Sequence, residues 1–315
     1  MTTSDHTSVK KQGPFVIHHA VLLPDSVRGQ ELKVRVIAPV NGENLPIVIF
    51  AHGYKSPPYG YAPITEFLAS LGFVVLQPVF LDSEVPDDDP RVPEIWQYRV
   101  SDMKRVLDEL DSIEKAVSML RGRLDKEKVV AIGHSYGAQT VGMLLGARVL
   151  NEDNIPGPDL SDKRVSGGVL LCATGTGGEN LSPFAAKFFP FMNPSFTEMT
   201  APCLVVAADQ DNSPLSTRGP DWFTDAFTLG TGAEYLLTLV GAKHLLGGIN
   251  GYGVVSEEEN NPAHVSIVQA AISAYLSKQF YEKNSDWEAL LGTLKSQDPS
   301  IGFVEEKSAN IFMAL

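Results

Sequence analysis

The stretch Val129-Val130-Ala131-Ile132-Gly133-His134-Ser135-Tyr136-Gly137-Ala138 decides how the rest of the chain is read. Four apolar residues run straight into Gly-x-Ser-x-Gly, and residues 138–147 continue as a helical run. Strand, one-residue corner and helix form the setting in which this motif presents a serine as a nucleophile. The corner forces Ser135 into a strained backbone conformation, so Gly133 and Gly137 must supply room where a Cβ would clash. The hydroxyl is then held above the sheet edge, at a helix N-terminus, where the next N–H can meet an oxyanion. Ala138, Gly142 and Gly146 recur every four residues, and this small-residue face predicts a helix lying close on the sheet.

Working outward from that corner, continuous apolar runs and helical stripes alternate. Residues 16–23 and 32–40 read as two strands joined by a turn around residues 25–29, the second with Leu32, Val34 and Val36 on one face and Lys33 and Arg35 on the other. Residues 46–51, 73–78 and 203–208 are runs of the kind covered on both faces, and residues 168–173 and 234–240 read as further strands. Residues 61–71 are helical in pattern, Val100 to Leu120 carry one helical stripe, and residues 262–281 give a closing helix. Such alternation predicts an α/β fold, with a mostly parallel sheet and helices on both faces. Residues 1–14 read as a disordered tail, 15–282 as one domain and 283–315 as a C-terminal extension. Residues 176–200 are lid-like, with Phe184, Phe188, Phe189, Phe191, Met192 and Phe196 set among prolines. Too many to leave exposed on a simple loop, these six are either core beneath a long connection or the wall of a pocket above Ser135. The wall reading makes Phe188 and Phe189 substrate-binding residues, and the Tyr54 side chain, beside the expected oxyanion hole, is a further candidate to line the pocket.

Composition narrows the class. With 315 residues and 43% hydrophobic content, the chain buries a sizeable core. A net charge of −13 argues against nucleic acid, which needs a basic face to displace counterions. The N-terminus is polar and lacks the apolar run of a signal peptide, and no later stretch is long and apolar enough to span a bilayer. Cys172 and Cys203 sit in apolar runs and read as buried, reduced thiols, which together with the polar N-terminus points to the cytoplasm; a disulfide is open to them only if their strands are neighbours. Asp87-Asp88-Asp89 lacks the alternation and glycine turn of a cation loop and reads as solvated. No metal or cofactor is expected, the oligomeric state is open, and the partner implied is a small molecule.

An alcohol is a poor nucleophile at neutral pH, so Ser135 needs a base, and the base an orienting carboxylate. His244 follows the final strand, among Gly241, Gly247 and Gly248, in the position the base requires; His52, His134 and His264 sit at strand or helix ends. Asp209 and Asp211 both follow the strand of residues 203–208 and both are candidates for the acid. The oxyanion would be held by the N–H of Tyr136, just after the nucleophile, and that of Tyr54, after His52-Gly53. Each such donor is worth roughly 3–4 kcal/mol.

At these residues, from about 30 to 281, the chain resembles the α/β-hydrolases. Within them it is similar to the dienelactone hydrolase, chlorophyllase and platelet-activating-factor acetylhydrolase-like group. His52-Gly53-Tyr54, the stretch from Leu68 to Val75, Arg99 with Asp102, and Leu124-Asp125 ahead of the serine motif carry the likeness. The resemblance implies hydrolysis of carboxylic esters through an acyl-enzyme, without a cofactor, and the pocket-wall reading of the aromatic segment favours an apolar ester. It also selects Asp211, because the family places the acid a small residue and two positions on, with a proline beyond, here Pro214. Ala138 stands where relatives often carry a second glycine, the single Gly53 differs from the run of some esterases, and Ser135 stands where dienelactone hydrolases use cysteine. Other acyl substrates, such as thioesters, lactones, polyesters or peptides, share the chemistry; a binding protein with an unused triad is the rival of another class.

Overall fold

A computed structural model describes residues 12–24, 27–251, 259–282, 284–296 and 300–307. Among them the strands are β1 (Phe15–Leu23), β2 (Leu32–Pro39), β3 (Leu45–Ala51), β4 (Val74–Pro78), β5 (Leu124–His134), β6 (Arg148–Val149), β7 (Val165–Leu171), β8 (Pro194–Ser195), β9 (Cys203–Ala208), β10 (Ala233–Leu239) and β11 (Gly302–Glu306). The α-helices are α1 (Ala62–Ser70), α2 (Ile95–Asp108), α3 (Leu110–Ala116), α4 (Tyr136–Leu144), α5 (Pro183–Phe188), α6 (Asp225–Leu229), α7 (Pro262–Tyr281) and α8 (Ser285–Ser296). Most of the expected tail, residues 1–11, and part of the β1–β2 turn lie outside the described residues.

Nine strands form one sheet in the order β1-β2-β4-β3-β5-β7-β9-β10-β11. The strands β4, β3, β5, β7, β9 and β10 run parallel, and β1, β2 and β11 are antiparallel to their neighbours. Every residue of β3, β4 and β9 is buried, as continuous apolar runs require when helices cover both faces. One helical group brings α1 against α7 and α7 against α8; a second brings α2 against α4. Parallel strands order their C-terminal ends along one sheet edge, and in such sheets ligands bind there. The loops after β3, β5, β9 and β10 therefore meet.

Two expectations are corrected. The stripe expected as one helix to Leu120 starts earlier, at Ile95, and breaks at Glu109 into α2 and α3. Leu107, Leu110 and Ile113 are spaced by three, so a straight helix would carry them off the buried face; the break returns all three to the core. The helix after Ser135 ends at Leu144, so Gly146 lies beyond it at φ +111°, and a Cβ on Gly142 would meet nothing nearer than 3.7 Å. Close approach to the sheet falls instead on Gly137. Beyond residue 282, where the sequence shows no clear role, α8 packs on β11, and β11 pairs along β10 from Tyr235–Glu306 to Leu239–Gly302.

The two cysteines are free and buried. Their strands are neighbours, but Cys203 pairs with Gly168 in the middle of β7, while Cys172 follows the C-terminal end of that strand, four residues further on.

Candidate active site

Ser135 stands between β5 and α4 at φ +56° and ψ −121°, a conformation rarely adopted by an L-residue. The turn is tight enough that a Cβ on Gly133 would lie 2.3 Å from the Gly137 carbonyl oxygen, and one on Gly137 2.0 Å from that of Ala51. Only glycine fits at either position. The Ser135 N–H donates to the Leu171 carbonyl at 2.8 Å, so the strained corner is pinned to β7.

The structure brings Ser135, His244 and Asp211 into one chain of hydrogen bonds. His244 Nε2 lies 2.9 Å from Ser135 Oγ, and His244 Nδ1 lies 2.7 Å from Asp211 Oδ2. Asp211 is 1% exposed, and the His244 side chain 36%. A carboxylate only accepts, so Nδ1 carries the proton and Nε2 is the nitrogen free to accept one from the serine. Asp209 serves the backbone instead. Its Oδ1 accepts the Gly241 N–H at 2.7 Å and joins the turns after β9 and β10. This is the capping role that suits an aspartate in a turn.

The oxyanion candidates lie on two different elements. Tyr136 opens α4, and the first N–H groups of a helix have no partner inside it. Tyr54 lies in the loop after β3, and among the described residues its N–H makes no hydrogen bond, although Gly53 and Lys55 on either side donate theirs. The rings of Tyr54 and Tyr136 meet edge to face, with centroids 5.8 Å apart.

The aromatic segment is part core and part surface. Phe191, Met192 and Phe196 are core. Phe189 stands against Tyr54 at 5.7 Å and Phe191 against Tyr136 at 5.6 Å. Phe188, 54% exposed, packs on Phe184 at 5.0 Å, and Phe184 reaches Phe189 at 5.9 Å. A path of touching rings thus leads from the two oxyanion candidates to the surface. Two other surface hollows, one by Tyr98 and Lys104 and one by Lys126 and Arg164, contain none of these residues.

Two histidines read from the sequence only as strand-end residues turn out to brace the site. His134 Nε2 lies 2.8 Å from the His244 carbonyl, which only accepts, so Nε2 carries the proton. Nδ1 then accepts from the Tyr61 hydroxyl at 2.9 Å, and that hydroxyl accepts the Gly53 N–H at 3.0 Å. The Tyr54 loop and the His244 loop are thereby joined through one neutral imidazole. Burial, then the neighbouring His244, push His134 down to about 3, against the pull of its bond to the His244 carbonyl. His52 is likewise driven down to about 4, by burial first and the Arg99 charge second. The signal was present: each imidazole stands at the end of an apolar run, beside a glycine or the serine.

His134, Cys172 and His244 place three donor atoms within 4.8 Å of one another, a spacing that would suit a metal ion. Each is already engaged, the two imidazoles as described and the thiol with Asp211. Burial pushes the Cys172 thiol well up, and the Asp211 carboxylate adds to it, so the thiol stays protonated. Asp87 and Asp89 are occupied by Lys55 and Arg91.

A family model described as "Alpha/beta hydrolase family" matches residues 48–296. The chain belongs to the alpha/beta hydrolase family. Among solved structures, this hydrolase is similar to a Pyrobaculum calidifontis esterase in its monoclinic form. The likeness has a TM-score of 0.54 and 21% identity, over 82% of this chain and 85% of that one, and at that identity it speaks for the fold. A search among curated proteins found no match. Among the described residues, no helix of this hydrolase is long and apolar enough to cross a membrane.

Proposed function

We propose that this hydrolase cleaves carboxylic esters through an acyl-enzyme formed on Ser135. The observation that carries the reading is the unbroken chain Ser135 Oγ, His244, Asp211, with contacts of 2.9 and 2.7 Å. His244 Nε2 takes the Ser135 proton as Oγ attacks the ester carbonyl carbon. Asp211 holds the imidazole in the required tautomer and stabilises the imidazolium. The Tyr54 and Tyr136 N–H groups receive the developing oxyanion, and donors fixed before the reaction stabilise that charge without reorganising. His244 gives the proton to the leaving alkoxide, and the alcohol departs. Water, deprotonated by the same imidazole, then attacks the acyl carbon and releases the acid and Ser135.

The path of rings from Tyr54 through Phe189 to Phe184 and Phe188 supports an apolar substrate, lying along the aromatic edge. No step calls on a metal or cofactor. The test is turnover of aryl esters of increasing acyl length, with the matching thioesters in parallel, by wild type and Ser135→Ala. Ester hydrolysis by wild type, lost in Ser135→Ala at unchanged Tm, is expected. Full activity in Ser135→Ala would remove the serine from the mechanism.

A further inference from the structure

Arg99 is fully buried on α2, where desolvation offsets much of what an ion pair gains. Its Nη1 donates to both oxygens of Asp82, at 2.8 and 2.9 Å, and its Nη2 to the His52 carbonyl. Asp82, 3% exposed, accepts the Lys55 N–H on Oδ2 at 2.8 Å. One buried pair therefore grips the residue before Gly53-Tyr54 and the residue after it. Lys55 sits at φ +53°, a left-handed conformation that persists in a non-glycine residue only when its surroundings over-determine it. Inside the grip, the His52 Nδ1–H donates to the Gly53 carbonyl at 2.7 Å, and Gly53 donates to Tyr61. The N–H left over is that of Tyr54.

The same guanidinium reaches the other oxyanion candidate. It lies 4.0 Å from the Phe80 ring centroid and 4.6 Å from that of Tyr136, and its Nε donates to Thr140 Oγ1 at 3.2 Å, one turn into α4. The loop after β3 and the start of α4 thus share one anchor.

We propose that Arg99 and Asp82 are positioning residues for the oxyanion hole: by holding the His52 carbonyl and the Lys55 N–H, they keep the Tyr54 N–H directed at the developing charge. The proposal rests on the serine-hydrolase reading above. A core pair serving stability alone would have no need to bond the backbone on both sides of one peptide. Burial pushes the Asp82 carboxyl up, but the Arg99 charge and its hydrogen bonds outweigh this and carry it below its usual range, so the grip is ionised throughout neutral pH.

The test separates positioning from folding with the double variant Asp82→Leu/Arg99→Met. Exchanging a buried pair for apolar residues of similar volume is often neutral or stabilising, so the fold should persist, with Tm lowered only by the His52 carbonyl and the Lys55 N–H that lose their partners. The expected kcat on an aryl ester falls on the order of 10- to 100-fold, the effect of an ångström-scale misplacement, with KM within about twofold. Affinity for a trifluoromethyl ketone, which forms an oxyanion on the serine, should fall in parallel with kcat/KM. Asp102→Asn, a buried carboxylate on the same helix paired with Arg28 rather than with the loop, should keep wild-type kcat. If the double variant does not fold, Arg99→Lys, which keeps a cation beside Asp82 but loses the second arm that reaches the His52 carbonyl, carries the same expectation for kcat and ketone affinity. Wild-type kcat and ketone affinity in a folded variant of either kind would overturn the proposal. Failure of the underlying reading shows differently, as wild-type protein whose Ser135 forms no ketone adduct at all.

Discussion

Replacing Asp211 by Asn is the sharpest probe of how the site divides labour between its two aspartates. Asp211 is buried and meets His244 Nδ1 at 2.7 Å, so its charge faces the imidazolium with little intervening water. At about 4 Å between charge centres and an effective dielectric of about 20, the attraction is about 4 kcal/mol, or on the order of 10³ in rate. The 36% exposure of the His244 side chain makes this an upper figure for the charge alone. If the Asn amide also turns its NH2 to Nδ1, the ring adopts the wrong tautomer and the loss grows to about 10⁴, as in chymotrypsin-type triads. Asp209→Asn keeps an oxygen for the Gly241 N–H, so its cost is a fraction of one hydrogen bond, below about 1 kcal/mol of stability and none of the catalysis. The assay is kcat on an aryl ester for both variants, with thermal melting to match their folding. A larger kcat loss in Asp209→Asn at equal Tm, or an Asp211→Asn enzyme retaining more than a tenth of wild-type turnover, would refute this division.

Stability should fall as pH drops below neutrality. His52 and His134 have folded pKa values of about 4 and 3, below the ordinary 6.5, so the stability they contribute is present above pH 6.5 and is lost as pH falls toward those values. Asp102 opposes one of them, because burial raises it to about 7 and its contribution is lost as pH rises through that value. Between about pH 4 and 6.5 the unfolded chain therefore takes up a net proton; Tm measured across this window should rise with pH, and more steeply in Asp102→Asn. Tyr61→Phe removes the hydroxyl between Gly53 and His134, which should cost about 1–3 kcal/mol in denaturant unfolding because a buried N–H and a ring nitrogen lose their partner. Phe189→Ala should shift the acyl-length profile of the ester panel at little cost in Tm, since the ring packs on Tyr54 at the edge of the core; lowered stability with an unchanged profile would assign Phe189 to the core instead.

The parallel sheet was legible because its strands are uniform apolar runs, and residues 203–208 and 262–281 match their elements to the residue. The candidate serine, base and acid were legible as a set because each follows a strand in a fixed order, and the structure brings the three within hydrogen-bond reach. What holds them was less so. Arg99 lies four and seven residues before Met103 and Val106, on the apolar stripe of α2, and a charge on a buried face is itself a signal of a partner. That the partner is Asp82, in a loop full of acidic residues, depends on a tertiary approach no local pattern encodes. The same holds for His134, whose partners Tyr61 and His244 lie 73 and 110 residues away. Strand β11 escaped notice because an edge strand of the sequence Gly-Phe-Val-Glu-Glu carries too few apolar residues to stand out from a polar tail.

The central claim, that Ser135 is the nucleophile, is tested most directly by treating the native protein with a fluorophosphonate and locating the adduct by peptide mass spectrometry. The account predicts one phosphonyl group, on the peptide carrying Gly133-His134-Ser135-Tyr136-Gly137, and loss of ester hydrolysis in proportion to labelling. Protein that hydrolyses the ester while Ser135 stays unmodified, or an adduct on a different residue that abolishes activity, would contradict it.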